Sequence, residues 1–340
     1  FNILYMAILR QFISAFIAIA LVGCYEDFTP KIDVTPVLCV NSMITAGEPV
    51  AVEVTKSFLF TDENEPHDVD DAVITIFANG ERVGDDYIPQ EGDIVRIEAV
   101  SSTYGEAWGE VKVPRAVPVK SVSFTPAVTD SSISENGEMI GYISFNLDVE
   151  LNFRDAPDIE NYYKFDYATI TPRPEANVEV GEDGEIIWME YPNVWFSVGS
   201  LDSEREPIFG EHIGAFDEVM GGDSYGFTFF TDRQFSGNDY TLHLVFTSCR
   251  YDVYSQKWQP GLLDCELTLI LSTISDSYYN WANYRWQSEQ GVVGGLGEFG
   301  LADPIWGYSN VSTGAGIIAA GSSCNYKLSL NEFLGGLFQH

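Results

Sequence analysis

Four histidines stand in the chain, at His67, His212, His243 and His340. His243 alternates with apolar residues in YTLHLVF, as a residue on a strand face does, and the sequence holds no HExxH, no paired-cysteine zinc spacing and no GxSxG turn. Metalloprotease and serine-hydrolase readings therefore lose their main support. Gly295-Leu296-Gly297-Glu298-Phe299-Gly300 spells the GxGxxG of dinucleotide binding. That motif works when a strand precedes the glycines and a helix N-terminus follows, so that backbone amides meet a pyrophosphate. Here a helical pattern precedes and LADPIWGYSN follows, so the glycines read as a loop and no cofactor is expected. Acids crowd TDENEPHDVDD (Asp62, Glu63, Glu65, Asp68, Asp70 and Asp71), but the glycine and the twelve-residue spacing of an EF-hand are missing, so a solvated loop is expected and no metal. FRDAPDIENYY reads as a strand end and a turn built on Asp155, Pro157 and Asp158. The overall expectation is a protein that is not an enzyme.

Five cysteines remain to be placed. Cys24 closes MAILRQFISAFIAIALVGC, where one cation, Arg10, precedes an apolar run from Phe12 to Val22 broken only by Ser14. That is the layout of a secretory signal peptide. The run is 11 residues long, against the roughly 20 that a membrane-crossing helix needs. Leu21-Val22-Gly23-Cys24 resembles the bacterial lipobox, in which the thiol takes a diacylglycerol and the cysteine becomes the first residue of the mature chain. The competing reading is a short buried element in which Cys24 packs as a small hydrophobe. Residues 1–5, FNILY, precede Met6 and read as an over-extended start. Glu26 and Asp27 resemble the acidic signal that sends such lipoproteins to the cell surface, or else keep the tether solvated. An exported chain permits disulfides, and Cys249 and Cys265, at the ends of YTLHLVFTSC and CELTLILS, are the expected pair. Cys39 and Cys324 have no such local support and also suit buried thiols.

The chain carries 17 basic and 51 acidic residues, a formal charge of −34. Removing residues 1–23 removes only Arg10, leaving 16 bases against 51 acids, or −35. Such a surface repels phosphate backbones, so nucleic-acid binding is not expected.

The elements that would position any site are mainly strands. After a signal segment (1–23) and a lipidated tether (24–33), residues 34–116 carry short alternating runs, VLCVNSMI, VAVEVTKSFLF, DAVITIFANGERVG, DIVRIEAVSS and EAWGEVKVP. Asn79-Gly80 marks a tight hairpin. These runs predict an immunoglobulin- or fibronectin-like β-sandwich. Residues 117–335 start again with longer strands and predict a larger antiparallel sandwich; in YISFNLDVELNF the residues Ile143, Phe145, Leu147, Val149, Leu151 and Phe153 alternate strictly with polar ones. One short helix is expected near the C-terminus over SYYNWANYRWQSEQ, capped by Ser275 or Asp276 and ended by Gly291. Its aromatics, Tyr278, Tyr279, Trp281, Tyr284 and Trp286, occupy more than one face. Part must pack on the sandwich; for the rest, core packing or a protein interface is favoured over a sugar platform.

Taken in order, these pieces resemble a family of Bacteroidota outer-membrane lipoproteins known as domain of unknown function 4249. The resemblance rests on the lipobox cysteine with acids behind it, VLCVNSMITAGEPVAVEVTKS, GDIVRIEAVSSTYGEAWGEVKVPRAVPVKSVSF, LNFRDAPDIENYYKF, and LSTISDSYYNWANYRWQSE followed by FGLADPIWGYSNVSTGAGIIAA. Its most specific part is Asp303-Pro304, then Ser309-Asn310 leading to Gly314-Ala315-Gly316-Ile317. The chain departs from the pattern at Ile318-Ala319-Ala320-Gly321, where an aromatic-containing run is usual, which bears on the packing of the final strand. The resemblance implies an accessory protein beside a TonB-dependent transporter, lipid-anchored in the outer membrane and facing outward, with no catalytic residues to carry over. Asp303, Pro304, Ser309, Asn310, Gly314 and Gly316 read as structural, a turn before a closing strand. An adhesin or fimbria-related subunit and a carbohydrate-active enzyme are the alternatives.

Overall fold

The computed structural model describes residues 35–58, 69–133, 141–157, 159–170, 178–180, 186–189, 194–210, 226–253, 266–289, 307–330 and 333, and in them the alternating runs become strands. The first stretch supplies β1 (Leu38–Thr45), β2 (Glu53–Lys56), β3 (Val73–Ala78), β4 (Glu81–Val83), β5 (Ile94–Ser101) and β6 (Gly105–Lys112). The second supplies β7 (Val119–Ile133), β8 (Gly141–Arg154), β9 (Tyr162–Ile170), β10 (Val178–Val180), β11 (Ile186–Met189), β12 (Val194–Ser197), β13 (Phe229–Thr231), β14 (Asp239–Val253) and β15 (Glu266–Ile274). Helix α1 (Asp276–Glu289) and a last strand, β16 (Ala315–Ser329), follow. The fold is mainly β with one α-helix among the described residues.

Local chemistry accounts for much of this. In β8 the six alternating apolar residues are each 2% exposed or less. At the β3–β4 hairpin Asn79 (φ 52°) and Gly80 (φ 86°) both take the left-handed conformation that a type I′ turn requires. Asn79 then uses its side chain to hold β5, accepting from the Ile94 amide at 3.0 Å and donating to Asp93 at 2.8 Å. Of the two candidate caps for α1, Ser275 serves: its Oγ accepts from the Tyr278 amide at 3.2 Å. Gly291 lies outside the described residues.

The strands form two four-stranded sheets, β4-β3-β5-β6 and β12-β14-β8-β7, a six-stranded sheet, β13-β9-β15-β16-β1-β2, and the β10–β11 ribbon. One apolar core lies among β1, β3, β5 and β6 (Leu38, Val40, Val95, Ile97) and the other among β8, β9, β14 and β15 (Phe145, Phe165, Phe246, Leu269). The six-stranded sheet runs past both. The long edge strand β7 is interrupted by bulges after Val119 and Val128 and carries Pro126 between them, features that discourage further strand pairing.

β16 joins the two cores. Its residues Ala315–Gly321 run parallel to β1, and Gly321–Ser329 run antiparallel to β15. Where β16 pairs with β1, its other edge is filled by side chains and a helix start. Asn310 both donates to the Ile318 carbonyl (2.7 Å) and accepts from its amide (2.9 Å). Ser275 Oγ accepts from the Ala320 amide at 3.0 Å, and the Ser275 amide donates to the Ala320 carbonyl at 2.8 Å. The stretches 34–116 and 117–335 are thus not separate in their sheets: β16 gives Ile318 and Ala320 to the first core, and residues from Pro36 onward cluster as one compact unit. The atypical Ile318-Ala319-Ala320 is fully packed, each residue 1% exposed or less.

The strand end expected at Cys249 needs correction. Cys249 is a free, buried thiol, and Cys265, its expected partner, lies outside the described residues. The strand does not end at Cys249. A bulge between Phe246 and Cys249, with Ser248 at φ 59°, turns Cys249 into the core, and β14 continues to Val253. β14 and β15 also belong to different sheets. Cys39 and Cys324 are free as well. Cys39 pairs with Ala315, and Cys324 lies nine residues further along β16, roughly 30 Å at strand rise and far beyond disulfide reach.

Candidate functional site

Carboxylates brought together out of water are the first place to look for chemistry. Asp155, from the turn after β8, and Asp232, after β13, are each 2% exposed and are bridged by Asn161. Asn161 Nδ2 donates to Asp155 Oδ1 (3.0 Å) and Asp232 Oδ2 (3.2 Å), and its amide donates to Asp232 Oδ2 (3.0 Å). Asp155 also accepts from the Tyr163 hydroxyl and from the Gly237 amide at 2.7 Å. Glu206, 1% exposed, accepts from the Tyr240 hydroxyl (2.8 Å) and the His243 amide (2.6 Å), filling an edge of β14. Each of these carboxylates accepts at least two protein donors and is almost wholly shielded from solvent. They pin turns rather than attack bonds.

Burial raises the pKa of Asp232 against the two lowering hydrogen bonds from Asn161, and the neighbouring Asp155 charge adds to the rise. The folded state therefore holds this proton more tightly than the unfolded chain does. The site's stabilisation is present below the unfolded value, about 4, and is lost as pH rises through the folded one. Asp232→Asn removes that titration. In urea melts at a series of pH values, the stability of the natural protein relative to Asp232→Asn should fall as pH is raised from about 4; a difference that is flat or grows would refute the assignment.

The residues singled out in the sequence have separate fates. Cys24, Glu26, Asp27, Asp303, Pro304 and the Gly295–Gly300 motif lie outside the described residues, as do Asp62 to Asp68. His243 sits exposed on a strand face with Nδ1 3.8 Å from Glu150 Oε1. Asp71 is a turn anchor, accepting from the Ser101 hydroxyl (2.8 Å) and the Ser102 amide (3.0 Å). Ser309 Oγ accepts from the Val311 amide at 3.2 Å, and Asn310 closes the β16 edge. Gly314 and Gly316 lie against β1, where an added Cβ would fall 2.4 Å from Leu38 O and 2.2 Å from Val40 O. Among the described residues no three His, Cys, Asp or Glu are grouped to hold a metal. Burial pushes the Cys39 and Cys249 thiols up, away from the reactive thiolate.

What does open to solvent is a trough between α1 and the outer face of the six-stranded sheet. Helix α1 has two aromatic faces. Tyr279, Ala282 and Trp286 are buried, with Phe227 packed on Trp286 at 5.9 Å between ring centres. Trp281, Tyr284, Arg285 and Ser288, spaced i, i+3, i+4 and i+7, wall a hollow of about 690 Å³ floored by Asn41, Met43 and Ile317, and Trp281 is half-buried, packing also against the cluster of Phe227, Ala282 and Trp286. Met43 also lines a second hollow of about 200 Å³, bounded by Lys164, Asp166, Tyr278 and Ser323. The two share Met43. Odd-numbered residues of β1 supply the floor because the even-numbered ones, Leu38, Val40, Ser42 and Ile44, are buried in the first core.

Apart from Glu53, the charges here are paired with one another. Lys164 Nζ lies 2.7 Å from Asp166 Oδ2. Burial works against the Lys164 charge, but Asp166 and Tyr278 outweigh it and hold its pKa above the ordinary value. Arg285 donates from Nε to Glu289 at 2.9 Å and stacks on the Trp281 ring at 5.3 Å. Tyr278 continues the aromatic wall, its ring centre 6.2 Å from that of Trp281 and 5.6 Å from that of Phe229. Sequence pattern reveals the two-faced helix but not which face the sheet leaves open. A third hollow, about 650 Å³, is lined by Lys112, Arg115, Glu160 and Asp276 among others.

Fold and site together define a two-core β-sandwich protein with a shared sheet and an open aromatic trough. The chain belongs to the family described as domain of unknown function (DUF4249), whose model matches residues 25–326. No curated protein matches it. Among solved structures, a Corynebacterium diphtheriae protein described as membrane anchored is 10% identical over 72% of this chain, with a TM-score of 0.16, a likeness too slight to carry either fold or function. The chain spans about 55% of that protein's length. No helix among the described residues is long and apolar enough to cross a membrane.

Proposed function

We propose that this is a lipid-anchored, non-enzymatic binding component of the outer membrane, tethered through Cys24, sent outward by Glu26 and Asp27, and serving a TonB-dependent transporter in nutrient uptake. The observation that carries the reading is the open trough on a frame whose two cores are joined through β16. A protein that captures cargo for a neighbour needs a preformed concave surface on a rigid support, and this one has it. The buried carboxylates are consumed in holding turns, which favours binding over glycoside hydrolysis. The bulges and Pro126 of β7 make it a poor acceptor for a donor strand, which weighs against an adhesin or fimbrial subunit.

The test is co-purification. A tagged chain extracted from membranes in mild detergent should bring down a transporter-sized barrel in near-equal amount, and Cys24→Ser should release the chain from the membrane fraction. Recovery of the wild-type chain alone would overturn the transporter association.

A further inference from the structure

Resting on the reading of the chain as a binding component, we propose that the trough is a carbohydrate site that takes a neutral glycan of at least two sugar units. A sugar ring offers apolar C–H faces and a rim of hydroxyls, so its site needs aromatic surface beside hydrogen-bonding groups. The trough supplies both. Trp281 and Tyr284 present partly exposed rings along one side of the larger hollow, and Tyr278 does so in the smaller one.

The polar groups opposite them are the right kind. Asn41, which lines the larger hollow, accepts at Oδ1 from the Ile317 amide at 3.2 Å, which fixes its side-chain amide and reserves the two N–H groups as donors. Glu53 and Ser288 line the same hollow. Lys164–Asp166 and Arg285–Glu289 neutralise each other in pairs, so the lining has no surplus positive charge to call for an anionic ligand, and the Glu53 carboxylate is left as an acceptor for sugar hydroxyls. At about 690 Å³ the larger hollow lies within the ligand-site range of roughly 300–1,000 Å³. The second hollow, which shares Met43 with the first, offers room for a second unit. A chain with a formal charge of −34 repels uronic-acid and sulfated polymers, which leaves neutral glycans.

Affinity electrophoresis tests this directly. The full chain in mild detergent is run through native gels cast with amylopectin, xylan, galactomannan or a mixed-linkage β-glucan. At least one should retard it, and Trp281→Ala and Tyr284→Ala should each weaken that retardation by about tenfold. Trp281→Phe, which keeps a ring, should lose only a few-fold; circular dichroism melts confirm that each variant is folded. Retardation by none of the four polymers, or retardation that neither alanine variant changes, overturns the proposal. If the barrel still co-purifies in that case, the glycan site alone has failed and the transporter association stands.

Discussion

Gly316→Ala should lower stability by at least about 3 kcal/mol, enough to leave little folded protein in many backgrounds. Two effects coincide there. The residue sits at φ +114°, where an L side chain is strained, and its added Cβ would meet the Val40 backbone, 2.2 Å from the carbonyl oxygen and 2.8 Å from the nitrogen and carbon. Backbone of a paired strand cannot swing aside as a flexible side chain can. Two comparisons separate the effects. Gly47 has φ +84° with nothing within 4 Å of an added Cβ, so Gly47→Ala reports strain alone, about 1 kcal/mol. At Gly314 the Cβ would lie 2.4 Å from Leu38 O and 2.6 Å from the Ala107 Cβ, a clash against backbone and packed core. Urea unfolding of the three variants should rank Gly47→Ala mildest and Gly316→Ala most severe. Equal losses at Gly47 and Gly316 would mean that contact with β1 is not what requires glycine.

Asp155→Ala is expected to cost roughly 3–5 kcal/mol, because each buried donor left without its acceptor costs about 1–3 kcal/mol. Three donors converge on that carboxylate, the Tyr163 hydroxyl, Asn161 Nδ2 and the Gly237 amide, and since Asn161 keeps Asp232 as an acceptor, the variant strands the other two. Tyr163→Phe removes one donor and leaves the others served, so it should cost only about 1–1.5 kcal/mol. Tyr163 is held un-ionised, its pKa raised by burial first and then by its bond to Asp155, so the loss should not depend on pH through the neutral range. Denaturant melts decide the matter. A Tyr163→Phe loss as large as that of Asp155→Ala would mean that ring packing, not the carboxylate, holds the turn.

The features legible in the sequence are those whose cause is local. Period-two alternation produced β8 with its six buried residues, Asn79-Gly80 produced the I′ hairpin, and Ser275 capped α1. Asp155 was recognisable as a turn former from its neighbours Pro157 and Asp158. Its role as a buried acceptor was not, because its partner Gly237 lies 82 residues away. Cys249 misled for a similar reason: an apolar run that stops at a cysteine looks like a strand end, whereas a bulge lets β14 continue through Arg250-Tyr251-Asp252. The aromatic content of α1 signalled two faces, and only the placement of β1 beneath it shows that one remains open. Glu206, buried at the edge of β14, carried no local sign, since an acid beside Pro207 reads as surface loop.

The β1–β16 pairing joins Cys39 to Ala315, positions 276 residues apart. A chain made from its N-terminus can form β3 to β6 early, since their hairpins are short, but β1 has β2 alone beside it until almost the entire polypeptide exists. Closing so long a loop adds little to the equilibrium cost, which grows only with the logarithm of its length. The penalty falls on rate, because contacts distant in sequence form slowly and leave apolar surface and strand edges open in the meantime. The half of the molecule that is synthesised first is therefore the half that must wait, and its neighbour's final strand is the signal that ends the wait.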